Sequence, residues 1–334
     1  MDNTYLEVEP SYKVLSTNSN LKLSDDVCRL IYGLEVYHDN IKYHPNSEIK
    51  AQINSNIRGL NIYIIATASK TQDRSINDHL MEALCLANAC KLSSAKSICL
   101  ILPCFPYARS DKKDDGRCAI GAALVCGMIK ESGVTRIVSV DLHSGQIQGF
   151  TNIPFDNLYA INIFCDYIGR LIKQNPNSDY ILVSPDNGGA KRVVSYAKKL
   201  NMPHAIMNKQ RNYGEEGGIE TSTLLSASDV TGATAIVIDD MIDTCGTMVS
   251  ACKILKEKGM KNAIVIATHG VLSGLAIERI NSCDFISNVV VTDSIPQTEN
   301  IKRCPKISVE TISILISNVI QCLETGASIS DLFK

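Results

Sequence analysis

None of the thirteen cysteines in this 334-residue chain stands in a C-x-x-C pair, and their number is odd. That argues against a zinc ribbon and against a disulfide framework, both of which rest on paired cysteines. Cys85, Cys90 and Cys126 sit inside apolar stretches, where the thiol acts as a small hydrophobe. Long basic runs are missing too, and the net charge is only −2, so nucleic acid is not expected as the main partner. No apolar run reaches the roughly 18 residues that a membrane span needs. The N-terminal MDNTYLEVEPSYK is acidic and polar, with neither an apolar signal core nor an Arg-rich transit pattern. No G-x-G-x-x-G follows a strand-like segment, which argues against a nicotinamide enzyme. These absences together predict a reduced, cytoplasmic protein that does not enter a membrane.

What the chain does have is regular alternation. Hydrophobic residues make up 45% of it, enough for full cores. Its length suits two domains of about 150 residues each. Val14–Ser16 reads as a short strand and Asp25–Tyr32 as a helix capped by Ser24. Asn61–Ala68 reads as a strand, and Ser75–Lys91 as an amphipathic helix with Leu80, Leu84 and Ala87 on one face. Ser97–Leu102, Ala119–Ser132 and Arg136–Val140 continue as strand, helix, strand. Beyond Phe150–Asn157 the pattern restarts with a helix at Tyr159–Lys173, a strand at Tyr180–Ser184 and a helix at Gly188–Leu200. Ala263–Thr268 and Phe285–Val291 read as further strands, with a helix near Ser273–Asn281 between them. Such alternation predicts an α/β fold with two doubly wound parallel-sheet domains. The last helix, Thr311–Leu323, is expected to pack back on the first half, and residues 1–12 to form an extension.

The stretch around which the rest is organised is AIVIDDMIDTCGT, Ala235–Thr247. An apolar strand leads into Asp239 and Asp240; the turn Asp243-Thr244-Cys245-Gly246-Thr247 then opens a helix, Met248–Lys258. A small polar turn at a helix N-terminus aims backbone N–H groups at an anion, and the helix adds about half a positive charge. Gly246 lets the backbone approach closely, either because a side chain would block the anion or because the position needs a positive φ. The two acids beside a phosphate suit sugar hydroxyls or Mg²⁺. The plainer reading of each single residue is an ordinary turn with Asp and Thr as helix caps. Taken whole, the string resembles the phosphoribosyl-pyrophosphate (PRPP) binding motif of type I phosphoribosyltransferases and PRPP synthetases.

The first half decides between these two. PCFPYARSDKKDDGR, Pro103–Arg117, follows a strand and carries Arg109, Lys112, Lys113 and Arg117, which could grip a polyphosphate. A charged segment of this kind is ordinarily a solvated loop, but the carboxyl end of a strand is where open α/β sheets bind ligands. In VSVDLHSGQIQGFTNIPFD, Asp141 and His143 close a strand. These blocks, followed by VSPDNGGAKRV and DDMIDTCGT in this order and spacing, resemble ribose-phosphate pyrophosphokinase from about Lys13 to Phe333.

The resemblance implies two domains of phosphoribosyltransferase type. Residues 13–156 would form the ATP side, 157–310 the ribose 5-phosphate side, and 311–334 a helix returning to the first domain. It implies transfer of a pyrophosphoryl group from ATP to the C1 hydroxyl of ribose 5-phosphate, giving PRPP and AMP. Asp243, Thr244, Cys245, Gly246 and Thr247 would hold the 5-phosphate, and Asp239 with Asp240 the ribose hydroxyls. His143 and Asp186, with Asp141 close by, would place Mg²⁺ on the ATP phosphates. Lys209 and Arg211 match a mobile catalytic loop, MNKQRNYGEEGG. Arg109 and Ser110 match the ATP-contacting pair. His44, Asn46, Ser47 and Glu48 match the segment that reads adenine, contributed by a neighbouring subunit. Some positions depart from the family: Ser110 replaces the usual Gln, His44 the usual Phe, and Asn152 a frequent Asp, and a few extra residues follow Arg211. The implied assembly is a homo-oligomer, a hexamer built from dimers. A phosphate and ADP site is implied at Asn56, Arg58, Lys113, Arg117, Gly145, Gln148, Ser328 and Ser330, where Asn56 and Gly145 replace Ser. Two alternatives stay open: a catalytically silent synthetase-associated subunit, and a phosphoribosyltransferase.

Overall fold

The computed structural model describes residues 11–31, 33–38, 41–113, 115–210, 221–226 and 229–333. The chain divides into two compact units, Met1–Leu158 with Ser313–Lys334, and Tyr159–Ile312.

In the first unit the elements run β1 (Tyr12–Ser16), α1 (Leu21–Arg29), β2 (Val36–Tyr37), β3 (Ile41–Tyr43), β4 (Ile49–Ala51), β5 (Asn61–Ile65), α2 (Ile76–Leu92), β6 (Ser97–Leu102), α3 (Gly121–Glu131), β7 (Arg136–Val140) and β8 (Phe155–Leu158). Six strands form one sheet in the order β2-β1-β5-β6-β7-β8, and every pair is parallel. Ile62, Ile64, Leu100 and Ile101 are fully buried, as expected of central strands covered by helices on both faces. β3 and β4 stand apart as an antiparallel hairpin.

The second unit contains α4 (Ile161–Gln174), β9 (Tyr180–Ser184), α5 (Ala190–Leu200), β10 (His204–Gln210), β11 (Thr221–Ser226), β12 (Thr234–Ile242), α6 (Gly246–Glu257), β13 (Asn262–Gly270), α7 (Ala276–Ser282), β14 (Ile286–Thr292), α8 (Thr298–Arg303) and β15 (Ile307–Glu310). Its sheet runs β11-β10-β9-β12-β13-β14-β15, parallel except for the antiparallel edge strand β11. With β11 set aside, this is the strand order of the first unit. Each sheet reverses direction once, between β1 and β5 and between β9 and β12, and such a reversal opens a crevice at the carboxyl ends of the two strands. The fold is thus α/β, with two doubly wound sheets.

The last helix, α9 (Ser313–Thr325), belongs to the first unit. Its Glu324 accepts hydrogen bonds from Tyr63 Oη at 2.7 Å and Asn61 Nδ2 at 3.0 Å. Burial, and then the bond to Glu324, push the Tyr63 phenol upward.

Some element limits differ from those read in the sequence. α1 begins at Leu21, capped by Asn20, whose side chain accepts the Leu23 N–H at 3.3 Å. Ser24 therefore lies inside the helix, buried, and shares a hydrogen bond with Ser16 Oγ at 2.8 Å. β12 continues through the acid pair to Ile242, pairing Asp239 with Ala267 and Met241 with His269. All thirteen cysteines are free thiols. Among the described residues no helix is long and apolar enough to cross a membrane.

Candidate active site

The second unit presents its chemistry at the carboxyl ends of β9, β12 and β13, which lie side by side in parallel. Asp239 and Asp240 both face Arg192 of α5, whose Nη1 lies 3.3 Å from an oxygen of each. Burial first, then the neighbouring Asp240, push the Asp239 carboxyl up to about 8, against the pull of Arg192. Arg192 is not evident from sequence spacing, because its helix lies some forty residues upstream of the acids it bridges.

The turn after β12 is held from outside. Ser273 Oγ donates to Asp243 Oδ1. Arg279 of α7 donates to the Thr244 carbonyl at 2.7 Å. In a trans peptide the carbonyl and the following N–H point to opposite sides, so this bond turns the Cys245 N–H away from Arg279. Cys245 itself is left-handed, with φ +62°. It is the N-cap of α6 and makes no side-chain hydrogen bond to the first N–H groups of that helix. The positive φ expected at Gly246 thus falls on Cys245. A Cβ on Gly246 would meet Arg279 Nη1 at 3.6 Å and Thr244 Oγ1 at 3.8 Å, which is ordinary contact.

Beyond β9, Asp186 Oδ1 accepts the Gly189 N–H at 3.0 Å, and Ser184 Oγ donates to the Asp186 carbonyl at 2.7 Å. A Cβ on Gly189 would lie 2.7 Å from Ser184 Oγ, so a side chain there would have to displace that hydroxyl from the Asp186 carbonyl. Asn187 Nδ2 donates to Asn208 Oδ1 at 2.8 Å, fastening this turn to the strand that carries Lys209. Lys209 lies within β10, opposite Ser222 of β11, so the first part of the expected loop is strand. Arg211 lies outside the described residues.

The first unit carries the remaining candidates. Asp141 follows β7, is buried and adopts φ +41°, a costly backbone for a residue other than glycine. Its N–H donates to the Leu158 carbonyl at 2.8 Å. His143 stands exposed two residues on. Arg109 is exposed in the loop after β6, the parallel neighbour of β7, so both loops leave from the carboxyl ends of adjacent strands. Ser110 is put to a local use: its Oγ accepts the Gly121 N–H at 3.0 Å and donates to the Ala119 carbonyl at 3.3 Å, at the start of α3. His44, Asn46, Ser47 and Glu48 form the exposed turn between β3 and β4. Asn56, Arg58, Lys113, Arg117, Gly145, Ser328 and Ser330 are exposed, and Gln148 is half-buried with its amide on the Gly145 carbonyl at 3.1 Å.

Residues 12–133 match the model of the N-terminal domain of ribose phosphate pyrophosphokinase, and residues 220–334 that of the phosphoribosyl synthetase-associated domain. The crystal structure of phosphoribosylpyrophosphate synthetase from Mycobacterium smegmatis is 35% identical over 95% of this chain and 99% of its own, with a TM-score of 0.85. The chain belongs to the ribose-phosphate pyrophosphokinase family. Adenine phosphoribosyltransferase from Saccharomyces cerevisiae matches 33% of this chain and 66% of its own at 17% identity, with a TM-score of 0.27. That from Trypanosoma brucei matches 42% and 67% at 18% identity, with a TM-score of 0.32.

Proposed function

We propose that this member of the family transfers the pyrophosphoryl group of ATP to the C1 hydroxyl of ribose 5-phosphate, giving PRPP and AMP. The observation that carries the reading is the uncapped start of α6 behind the left-handed Cys245, with two carboxylates on the strand that leads into it. One phosphate fits the turn, and neighbouring sugar hydroxyls fit the acids.

In this reading Asp243–Thr247 hold the 5-phosphate through backbone N–H groups and the Thr hydroxyls. Asp239 and Asp240 accept hydrogen bonds from the ribose hydroxyls and so fix the orientation of C1. On the ATP side, Arg109 grips the polyphosphate, with Ser110 bracing its loop, and the turn His44–Glu48 of a neighbouring subunit reads adenine. Lys209, with Arg211, stabilises charge on the transferring group as the β-phosphorus passes from the departing AMP oxygen to the C1 oxygen.

Asp141, His143 and Asp186 are the groups that would hold Mg²⁺. Mg²⁺ favours one or two carboxylates and fills its other positions with water and substrate phosphate. Carboxylates with one imidazole leave those other positions open to water and phosphate. When bound, the ion neutralises charge on the ATP phosphates. Binding of adenine by a neighbouring subunit implies at least a dimer, and the proposed assembly is a hexamer built from dimers, in the cytoplasm.

The test is to incubate the purified chain with Mg²⁺, ATP and ribose 5-phosphate and to follow AMP and PRPP together. Equimolar formation of both is expected. Binding of both substrates without AMP would establish a catalytically silent subunit. PRPP consumption only in the presence of a free base would establish a phosphoribosyltransferase.

A further inference from the structure

We infer that Glu82 is a positioning residue for the turn His44–Glu48, acting through Tyr43, and so sets the affinity for ATP. This rests on the proposed role of that turn in reading adenine.

Glu82 lies on α2 and is fully buried. A buried carboxylate is costly unless hydrogen bonds satisfy it. Here the donors come from separate segments: Tyr43 Oη reaches Oε1 at 2.7 Å, the Asn18 N–H reaches Oε2 at 3.1 Å, and His79 Nδ1 lies 3.2 Å from Oε2. A carboxylate only accepts, so the Nδ1 atom carries the proton. The other ring nitrogen meets Thr71 Oγ1 at 3.2 Å. Thr71 closes a turn onto Arg74, its N–H donating to the Arg74 carbonyl at 2.9 Å. The Arg74 guanidinium lies over the Tyr43 ring, its carbon 3.8 Å from the ring centroid. Tyr43 is therefore held twice, at its hydroxyl by Glu82 and on its ring face by Arg74. Burial, and next the bond to Glu82, push its phenol upward, so it stays a donor throughout the neutral range.

Tyr43 is the last residue of β3 and directly precedes the exposed turn. The turn is ordered within itself: the His44 N–H donates to Glu48 O and the Ser47 N–H to His44 O, both at 2.8 Å, and Asn46 Oδ1 accepts the Glu48 N–H at 3.2 Å. None of these three bonds ties the turn to the rest of the unit. β3 and β4 pair over only three residues each, too little for a hairpin to be stable by itself in water. Ile41 is part of the core of the first unit, and Tyr43, Ile49 and Ala51 pack against it, but these apolar contacts are not directional. The hydroxyl–carboxylate bond supplies the directional contact that sets where His44, Asn46 and Glu48 stand. A hub of this sort is a poor way to gain stability alone, because burying charge is expensive. It is well suited to fixing one position.

The experiment compares Tyr43→Phe with Asn46→Ala and Glu48→Ala in steady-state assays that vary ATP and ribose 5-phosphate separately. Tyr43→Phe keeps the ring under Arg74 and removes only the hydroxyl. We expect its KM for ATP to rise about tenfold, the scale of one hydrogen bond to a charged acceptor. KM for ribose 5-phosphate and kcat at saturating ATP should stay near those of the parent. A lowered melting temperature with both KM values unchanged, or both KM values raised together, would mean that Glu82 only supports the fold, and would overturn the inference. Glu82→Gln, which keeps an acceptor oxygen for Tyr43 but not the charge, should fall between the parent and Tyr43→Phe; an effect on ribose 5-phosphate instead would also count against it. If Asn46→Ala and Glu48→Ala both leave KM for ATP unchanged, the adenine reading itself fails, which separates that failure from this one.

Discussion

Asp239 shows how much of this site is decided by one proton. An acid whose carboxyl is raised in the folded chain binds a proton that the unfolded chain has already lost. From the usual value near 4 up to about 8, the folded state therefore holds more protons, and stability falls as pH rises through that window. The contribution is fully present below the unfolded value and lost above the folded one. Asp239→Asn, neutral at every pH, removes this slope. Measured with a chelator present, its melting temperature relative to the parent should climb between pH 5 and pH 8; a constant difference would show that the carboxyl is not raised. Arg279 acts on the same turn from the other side. Arg279→Met keeps much of the side-chain length but frees the Thr244 carbonyl and with it the orientation of the Cys245 N–H. The expected result is a rise of about tenfold or more in KM for ribose 5-phosphate with KM for ATP nearly unchanged, the scale of a charge-assisted bond. Equal changes in both would point to a general loss of packing.

Among the elements, the start of α6 is best understood beside that of α2, which follows the corresponding strand in the first unit. α2 is sealed by a capping box: Ser75 Oγ accepts the Asp78 N–H and Asp78 accepts the Ser75 N–H. α6 has no such seal. Two helices in equivalent places thus differ in whether an anion can reach their N–H groups. In the same unit as α6, the antiparallel β10–β11 pair brings Lys209 and Gln210 to the end of β10. Lys209→Ala should leave ribose 5-phosphate binding close to normal and lower kcat by roughly 10²–10³, the usual loss for one electrostatic donor to a transition state. Turnover equal to the parent would remove Lys209 from the catalytic groups. These cases also show what a sequence can tell. β5, β6 and β12 are legible because a parallel strand buried on both faces must be an unbroken apolar run. The stretch from Asn208 to Gln210 reads as a loop because it is polar, yet it is strand in the fold. The β3–β4 hairpin escapes notice for a similar reason, with exposed Lys42 and Lys50 between its apolar residues. The turn Asp243–Thr247 could be read as an anion site from its own residues, whereas Ser273 and Arg279 come to it, and Arg192 to the acid pair before it, from distant segments. Asn20 was hidden by the neighbouring Ser24, an equally good cap one turn later.

At the scale of the whole molecule, the repeated strand order leaves the first unit free for a different task from the second. Its exposed Arg58, Lys113, Arg117, Ser328 and Ser330 are of the residue types that suit an anion. The family resemblance implies a phosphate and ADP site at these positions, and Asn56 and Gly145 are where this chain departs from it. The Asn56 side-chain oxygen already accepts the Arg58 N–H at 3.2 Å, which leaves only its amide to donate. Gly145 opens the short 3₁₀ turn Gly145–Phe150 and offers no side-chain donor. An anion should therefore bind through the guanidinium groups, but more weakly than where both positions are Ser. Gly145→Ser is a clean probe, because φ there is not positive and an added Cβ would meet only Gln148 Nε2, at 4.0 Å. The restored hydroxyl adds one bond to a charged acceptor, worth about 1.5–3 kcal/mol, or roughly tenfold to a hundredfold in affinity. With activity followed against phosphate at fixed free Mg²⁺, the midpoint for Gly145→Ser should shift to lower phosphate by at least several-fold, with the same maximal rate. If the parent already saturates at low phosphate and Gly145→Ser leaves the midpoint where it was, these positions do not bind the regulating anion.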